Sequence, residues 1–288
     1  MVELRQLECF LAVVDEGTFT AAATRLRVVQ SAVSSTIKAL ERSLKVTLFD
    51  RGPGRPALTD AGRRLIPEAR RMLDLAATAA EVVRTEVAGD LHVGVMSALG
   101  GVDLPGVLAS YRAAHPNVRV HVKVLPRGSA GLAEELRTGR LDVAFLSTPA
   151  TPDLALTLIT HEPMYLLLPP GHPMTTGDVS LPDLAQETWI DGPEGFGNRT
   201  IVDAAFTAAG LTREVALEVA DSSWVPAFVA AGLGIGFVPT GIPIPETVHK
   251  RQVEDLRWPL YIATTKERAR RPSVRAFTAL VSARSPTG

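Results

Sequence analysis

The chain has 288 residues, enough for two or three domains with a sizeable core, and its 46% hydrophobic and 21% charged composition is that of a globular protein. A formal net charge of -1 argues neither for nor against a nucleic-acid partner, and a single cysteine, Cys9, excludes an internal disulfide and any multi-cysteine metal site. The opening MVELRQLECF carries charges where a secretory signal needs an apolar run, and no apolar run approaches the roughly 18–20 residues of a membrane span, so a cytoplasmic location with no membrane partner is expected.

Leu4, Leu7, Phe10, Leu11 and Val14 recur at the period of a helix face, and Gly17 ends that helix. Thr18 caps a second short helix, TFTAAATRL. Arg27 to Val29 separate it from a third, in which Val33, Ile37, Leu40 and Leu44 are spaced by four, three and four. The opposite face of this third helix shows Gln30, Ser31, Ser34, Ser35 and Lys38. Two helices joined by a tight turn, the second with a polar outer face, match a helix-turn-helix. VTLFDRGPGRPALT then supplies two strand-like pieces around a Gly- and Pro-rich turn, a wing beside the third helix. From Arg25 to Arg64 nine basic residues stand against Glu41, Asp50 and Asp60, which points to a local polyanion contact. Thr59 begins a long helix whose Leu65, Ala69, Met72, Ala76, Ala79 and Val83 alternate at spacings of four and three, a coiled-coil seam. Pro67 falls early enough to kink it. The seam favours a dimerisation helix over a plain core helix.

From Leu91 the texture changes to alternating strands and helices. LHVGVMS, VRVHVKVLP and LDVAFLS read as strands, with helices LPGVLASYRAAHP and SAGLAEELRTG between them, a series that forms a parallel sheet with helices on its faces. A second unit starts near MYLLLPP and continues through NRTIVDAAFTAAG, VALEVA, WVPAFVAAGLG, IGFVP and LYIATT to a closing helix, PSVRAFTALVSAR. The expected fold is therefore multidomain: an all-α winged helix-turn-helix over 1–60, a linker and dimerisation helix over 61–89, and a two-lobed α/β domain over 90–288. The first lobe covers about 90–160 and 266–288, the second about 161–265, with a cleft between them.

Catalytic signatures are missing. G-x-S-x-G, H-E-x-x-H and G-x-x-x-x-G-K-[ST] do not occur, and histidines 92, 115, 121, 161, 172 and 249 lack metal-ligand spacing. GLGIG at 232–236 follows a helix and precedes a strand, the reverse of a dinucleotide-binding turn. No enzyme activity, metal or cofactor is expected.

A helix entering the major groove needs small residues for close approach and amide, hydroxyl or cationic groups for base edges and phosphates. Gln30, Ser31, Ser34, Ser35, Thr36 and Lys38 on the third helix meet that need, and Arg51 and Arg55 on the wing can reach the backbone or minor groove. The segment LECFLAVVDEGTFTAAATRLRVVQSAVSSTIKALERSLKVTLFDRGPGRPALTDAG resembles the winged helix-turn-helix of LysR-type transcriptional regulators, and FVAAGLGIGFVP extends the resemblance to essentially the whole chain. The resemblance implies a bacterial regulator of transcription with a periplasmic-binding-protein-like effector domain. It implies homodimers through the long helix, commonly assembled into homotetramers. It implies double-stranded DNA with dyad symmetry and a small-molecule effector as partners, and it leaves room for contact with RNA polymerase. Carried over by position, the reading residues are Gln30, Ser31, Ser34, Ser35 and Lys38, with Arg51 and Arg55 in the wing. This chain departs from the family pattern: Val29-Gln30-Ser31 stands where Ser-Gln-Pro is usual, and Ser34-Ser35-Thr36 where Ser-Arg-Gln is common. Val29 cannot cap the reading helix, and Ser35 removes a cation from its outer side.

The effector is expected at the carboxyl ends of the strands, against helix N-termini, in the loops MSALGG, RGSAG, LSTPA and PEGFGN. Ser97, Ala98, Gly128, Ser129, Ser147, Thr148, Phe196, Gly197 and Asn198 are the candidate contacts, and positions 97 and 129 match places where family members often touch effectors. Converging helix N-termini favour an anion; Arg127 and Arg199 either add charge there or face solvent. The alternative from another class is a small-molecule sensor without direct DNA readout.

Overall fold

The computed structural model describes residues 1–50, 56–83, 86–125, 127–148, 153–253 and 256–284. The chain divides into two compact units, Met1–Arg84 with Arg137–Gly139, and Thr85–Leu136 with Arg140–Gly288.

In the first unit α1 (Leu4–Glu16), α2 (Phe19–Leu26) and α3 (Gln30–Leu44) form where the periodicities place them. Gly17, at φ 71°, closes α1 by donating its N–H to Val13 O, a left-handed turn that glycine makes at no steric cost. Thr18 Oγ1 accepts from Ala21 N at 3.1 Å and starts α2. The apolar stripes converge, so Leu7, Phe10, Val33, Ile37 and Leu40 are fully buried, each side chain stabilising the unit by about 1.5–3 kcal/mol. The wing strands β1 (Phe49–Asp50) and β2 (Ala57–Leu58) pair antiparallel, and the turn between them, with Arg51 and Arg55, lies outside the described residues. α4 (Asp60–Val82) runs unbroken through Pro67. Thr59 caps it, accepting from Gly62 N at 3.0 Å while donating to Thr47 O at 2.7 Å. A Cβ at Gly62 would stand 2.3 Å from Leu48 O, so only glycine lets α4 sit this close to the approach to β1. Arg70 on α4 reaches Asp15 on α1 at 2.6 Å in a nearly buried ion pair.

The second unit contains the expected parallel sheet: β3 (Gly89–Val95) lies between β4 (Val118–Val124) and β5 (Val143–Leu146). α5 (Leu104–Ala114) and α6 (Gly128–Arg137) are the crossovers, and α10 (Pro272–Arg284) packs on α5 through Tyr111, whose hydroxyl donates to Ser273 O at 2.9 Å. Asp142, just before β5, is buried and accepts from Arg268 Nη1 at 2.8 Å, Arg271 Nη1 at 2.6 Å and His92 N at 2.7 Å. It ties the segment leading into α10 to the sheet.

The sheet then continues antiparallel through β11 (Arg257–Thr265) and β6 (Leu154–Leu168). Here the structure differs from the sequence pattern, which starts a new strand at Met164. β6 is one strand of 15 residues that passes from the first lobe into the second. Pro163 marks the changeover: it is the last partner of β11, and from Met164 the strand pairs with β9 (Gly236–Pro239). A proline lacks the N–H that a ladder needs, so it fits where one ladder ends and the next begins. β10 (His249–Arg251) joins β6 on its other side. In the second lobe β7 (Thr188–Asp191) and β8 (Glu214–Glu218) pair in parallel, with α7 (Leu181–Leu184), α8 (Gly197–Ala208) and α9 (Val225–Ala230) around them. β7, β10 and α7 have no counterpart among the elements expected from sequence.

Candidate functional site

Two surfaces carry the candidate residues, one in each unit. The first is α3. Val33, Ile37 and Leu40 seal one face into the core, so the opposite face is set by the 100° step of the helix. Ser31, Ser35 and Lys38 lie on it, all exposed, and Gln30 is exposed at the helix start. Arg42, four residues beyond Lys38, extends the same stripe and donates from Nε to Lys38 O at 3.3 Å. Arg42 is absent from the candidates named from sequence; its i+4 spacing from Lys38 is the signal that places it. Ser34 and Thr36 sit on the flanks, half-buried. Thr36 donates to Ala32 O at 2.8 Å and lies against the Cys9 thiol, which takes it off the outer face. Burial pushes that thiol up from its ordinary value, which keeps it protonated and inert. Ser35 also donates to Ala32 O, at 2.9 Å, leaving its oxygen lone pairs facing outward.

The helix begins at Gln30 with Val29 as its N-cap residue, and no side chain accepts from the first turn there. The missing cap read from the sequence is real, and Ser31, already inside the helix, does not replace it. Glu41 fixes the wing relative to this helix: its Oε1 accepts from Leu48 N at 2.8 Å and Phe49 N at 3.4 Å.

The second surface is a cleft of about 230 Å³ between the two lobes of the second unit. Of the candidate residues, Ser97, Ala98, Gly128, Ser147, Phe196, Gly197 and Asn198 line it. Ser129 is buried behind that surface, where its Oγ accepts from Ser147 N at 3.0 Å and pairs with Ser147 Oγ at 3.1 Å. Thr148 is half-buried and does not reach the lining. Two glycines of the lining let the lobes approach closely. A Cβ on Gly197 would fall 1.6 Å from Ser147 Oγ, and one on Gly128 3.1 Å from the Phe196 ring.

Of the two places open to Arg127 and Arg199, the structure gives both the one outside the cleft. Arg127 is exposed and off the lining. Arg199 is turned to Asp203 at 2.6 Å and Glu218 at 3.6 Å. Among the described residues the lining holds no cation but two carboxylates, Asp191 and Asp221, which sequence reasoning missed. Asp191 is neutralised by Arg213 at 2.5 Å. Asp221 follows β8 and accepts from Ser223 N at 3.0 Å and Ser223 Oγ at 2.7 Å. Burial works against its charge, but these bonds and one from Ser97 outweigh it and hold the Asp221 carboxyl below the usual range. Trp258 of β11, Phe237 of β9 and Met96 make much of the apolar wall.

Residues 4–63 match the model of bacterial regulatory helix-turn-helix proteins of the lysR family, and residues 84–286 match the LysR substrate binding domain. The chain is similar to the HTH-type transcriptional regulator ShiR of Corynebacterium glutamicum, 33% identical over 260 residues that cover 86% of this chain and 87% of the relative. It is similar to the transcriptional activator protein LysR of Escherichia coli, 33% identical over 244 residues that cover 82% and 77%. Among solved structures it resembles full-length CbnR complexed with its target DNA, at 26% identity and a TM-score of 0.61 over 97% of this chain and 99% of that one. A full-length OxyR variant from Pseudomonas aeruginosa, at 22% identity, shares the fold with a TM-score of 0.76 over 98% of both chains.

Proposed function

Because the chain belongs to the LysR family of DNA-binding transcriptional regulators, we propose that it reads a dyad-symmetric operator with α3 as a homodimer and responds to a small molecule held in the interlobe cleft. The relatives are transcriptional regulators and the chain is one too, not an enzyme. The observation that carries the reading is α3 itself: one face locked in the core, the other a stripe of exposed hydroxyls and cations, Ser31, Ser35, Lys38 and Arg42. In this reading Gln30 pairs with adenine, the serines meet phosphates or bridging waters, and Lys38 and Arg42 neutralise phosphates. Arg51 and Arg55, outside the described residues, belong to the same reading through the wing. Ser97, Ala98, Gly128, Ser147, Phe196, Gly197 and Asn198 form the effector contacts, with Ser129 holding Ser147 in place.

Dimerisation is assigned to α4, with assembly to a homotetramer and contact with RNA polymerase as further expectations of the family. No helix among the described residues is long and apolar enough to cross a membrane, in keeping with a cytoplasmic site of action. A gel shift on the DNA upstream of the protein's own gene tests the reading. Wild-type protein is expected to retard that DNA selectively, and Gln30→Ala with Lys38→Ala to lose retardation while remaining the same oligomer. A double variant that binds as well as wild type would leave only the sensor reading.

A further inference from the structure

We propose that the interlobe cleft takes a small organic amine, an apolar body carrying a cationic nitrogen for Asp221 and a hydrogen-bond acceptor for the indole N–H of Trp258. The proposal rests on the reading of this cleft as the effector site. Three observations carry it.

The cations that would favour an anion there are placed away from the lining. Arg127 is exposed and Arg199 is turned to Asp203 and Glu218, so among the described residues no basic side chain lines the cleft.

The charge left in the cleft is negative. Arg213 neutralises Asp191, whereas no cation among the described residues pairs with Asp221. Asp221 is half-buried beside an apolar wall of Met96, Phe196, Phe237 and Val225. A carboxylate in such a place is stabilised most by a cation that brings its own charge and donors into the site.

The third observation is independent of charge. Trp258 lines the cleft, is 2% exposed, and its Nε1 has no hydrogen-bond acceptor. Its ring edge Cζ3, on the far side from Nε1, faces Gly100. A buried donor without an acceptor is costly, and a ligand that supplies one recovers that cost on binding.

The test uses the full chain and four probes on one skeleton: 2-phenylethylamine, 2-phenylethanol, phenylacetate and phenylalaninamide. Binding is read by thermal shift and by calorimetry. Wild type is expected to bind the two amines at least about tenfold more tightly than the alcohol, with phenylacetate weakest. Asp221→Asn keeps an oxygen to accept from Ser223 but loses the charge, and is expected to erase the preference for amines. Trp258→Phe is expected to weaken phenylalaninamide, which has a carbonyl acceptor, more than 2-phenylethylamine. Ala220→Trp, which fills the cleft beside Asp221, is expected to abolish binding of every probe. Phenylacetate binding as tightly as the amines, lost in Ala220→Trp, would overturn the amine proposal and leave the cleft standing as the site. Binding that survives Ala220→Trp, or no binding of any probe, would overturn both.

Discussion

Val29 shows how much one residue can reveal. It caps α3 without a side-chain acceptor, is 68% exposed, and its backbone is already extended at φ -75° and ψ 147°. Serine fits that conformation and adds the missing hydrogen bond, so Val29→Ser is expected to stabilise the first unit by about 1 kcal/mol in urea unfolding. Asp142 works in the opposite direction. Burial would raise its pKa, but His92, Arg268 and Arg271 outweigh burial and hold the carboxyl below the usual range. Such a group contributes stability above its unfolded pKa of about 4 and loses it as pH falls through the lower folded value. The second unit should therefore soften below about pH 4. Asp142→Asn, which removes the carboxylate charge that faces two buried arginines, should destabilise the second unit by about 3 kcal/mol and flatten that acid dependence. At this scale the sequence was legible where a residue acts on the chain beside it, as Thr18 does and Val29 fails to do. It was not legible where the role depends on a distant partner. Arg199 is claimed by Asp203 and Glu218, and Asp221 gains its place only because β8 ends beside the cleft.

Among the elements, α4 is the most exposed to test. Leu65 and Ala69 of its seam are spent on the core of the first unit. Beyond them Met72, Leu75, Val82 and Val83 stay 44%, 62%, 60% and 84% exposed in the single chain. The stripe is centred on Met72 and Ala79 and takes in Leu75 and Val82, which the strict alternation read from the sequence leaves off. A face this apolar on a charged helix is expected to pair with a second copy. Leu75→Glu with Val82→Glu should convert the dimer to monomer by sedimentation without unfolding either unit, and an unchanged dimer would move the interface elsewhere. Gly62→Ala tests the helix start: a Cβ there meets Leu48 O, and the first unit should lose roughly 1–3 kcal/mol or more. Periodicity made α1 to α4 and the alternating strands and helices readable, because each follows its own repeat. β6 was not, because Pro163 looks like a break in sequence and only the pairing with β11 and β9 shows why a strand continues through it.

The whole molecule joins a reading head to a sensor. Gly197→Ala would drive a methyl into Ser147 Oγ across the cleft between the lobes. It should therefore abolish ligand-induced thermal shifts while leaving binding to DNA in the absence of ligand near its wild-type level, because α3 belongs to a separate unit. The proposed function depends above all on one expectation, that α3 reads DNA through its exposed face. Fluorescence anisotropy on the upstream DNA and on a scrambled duplex, over a salt series, addresses that dependence without an intermediary. Selective binding is expected, with a logarithmic affinity that falls steeply with log salt. Lys38→Ala is expected to lower that slope by about 2 in a dimer, roughly 0.9 for each phosphate no longer neutralised. Equal affinity for both duplexes, with a slope that Lys38→Ala leaves untouched, would contradict a reading role for α3.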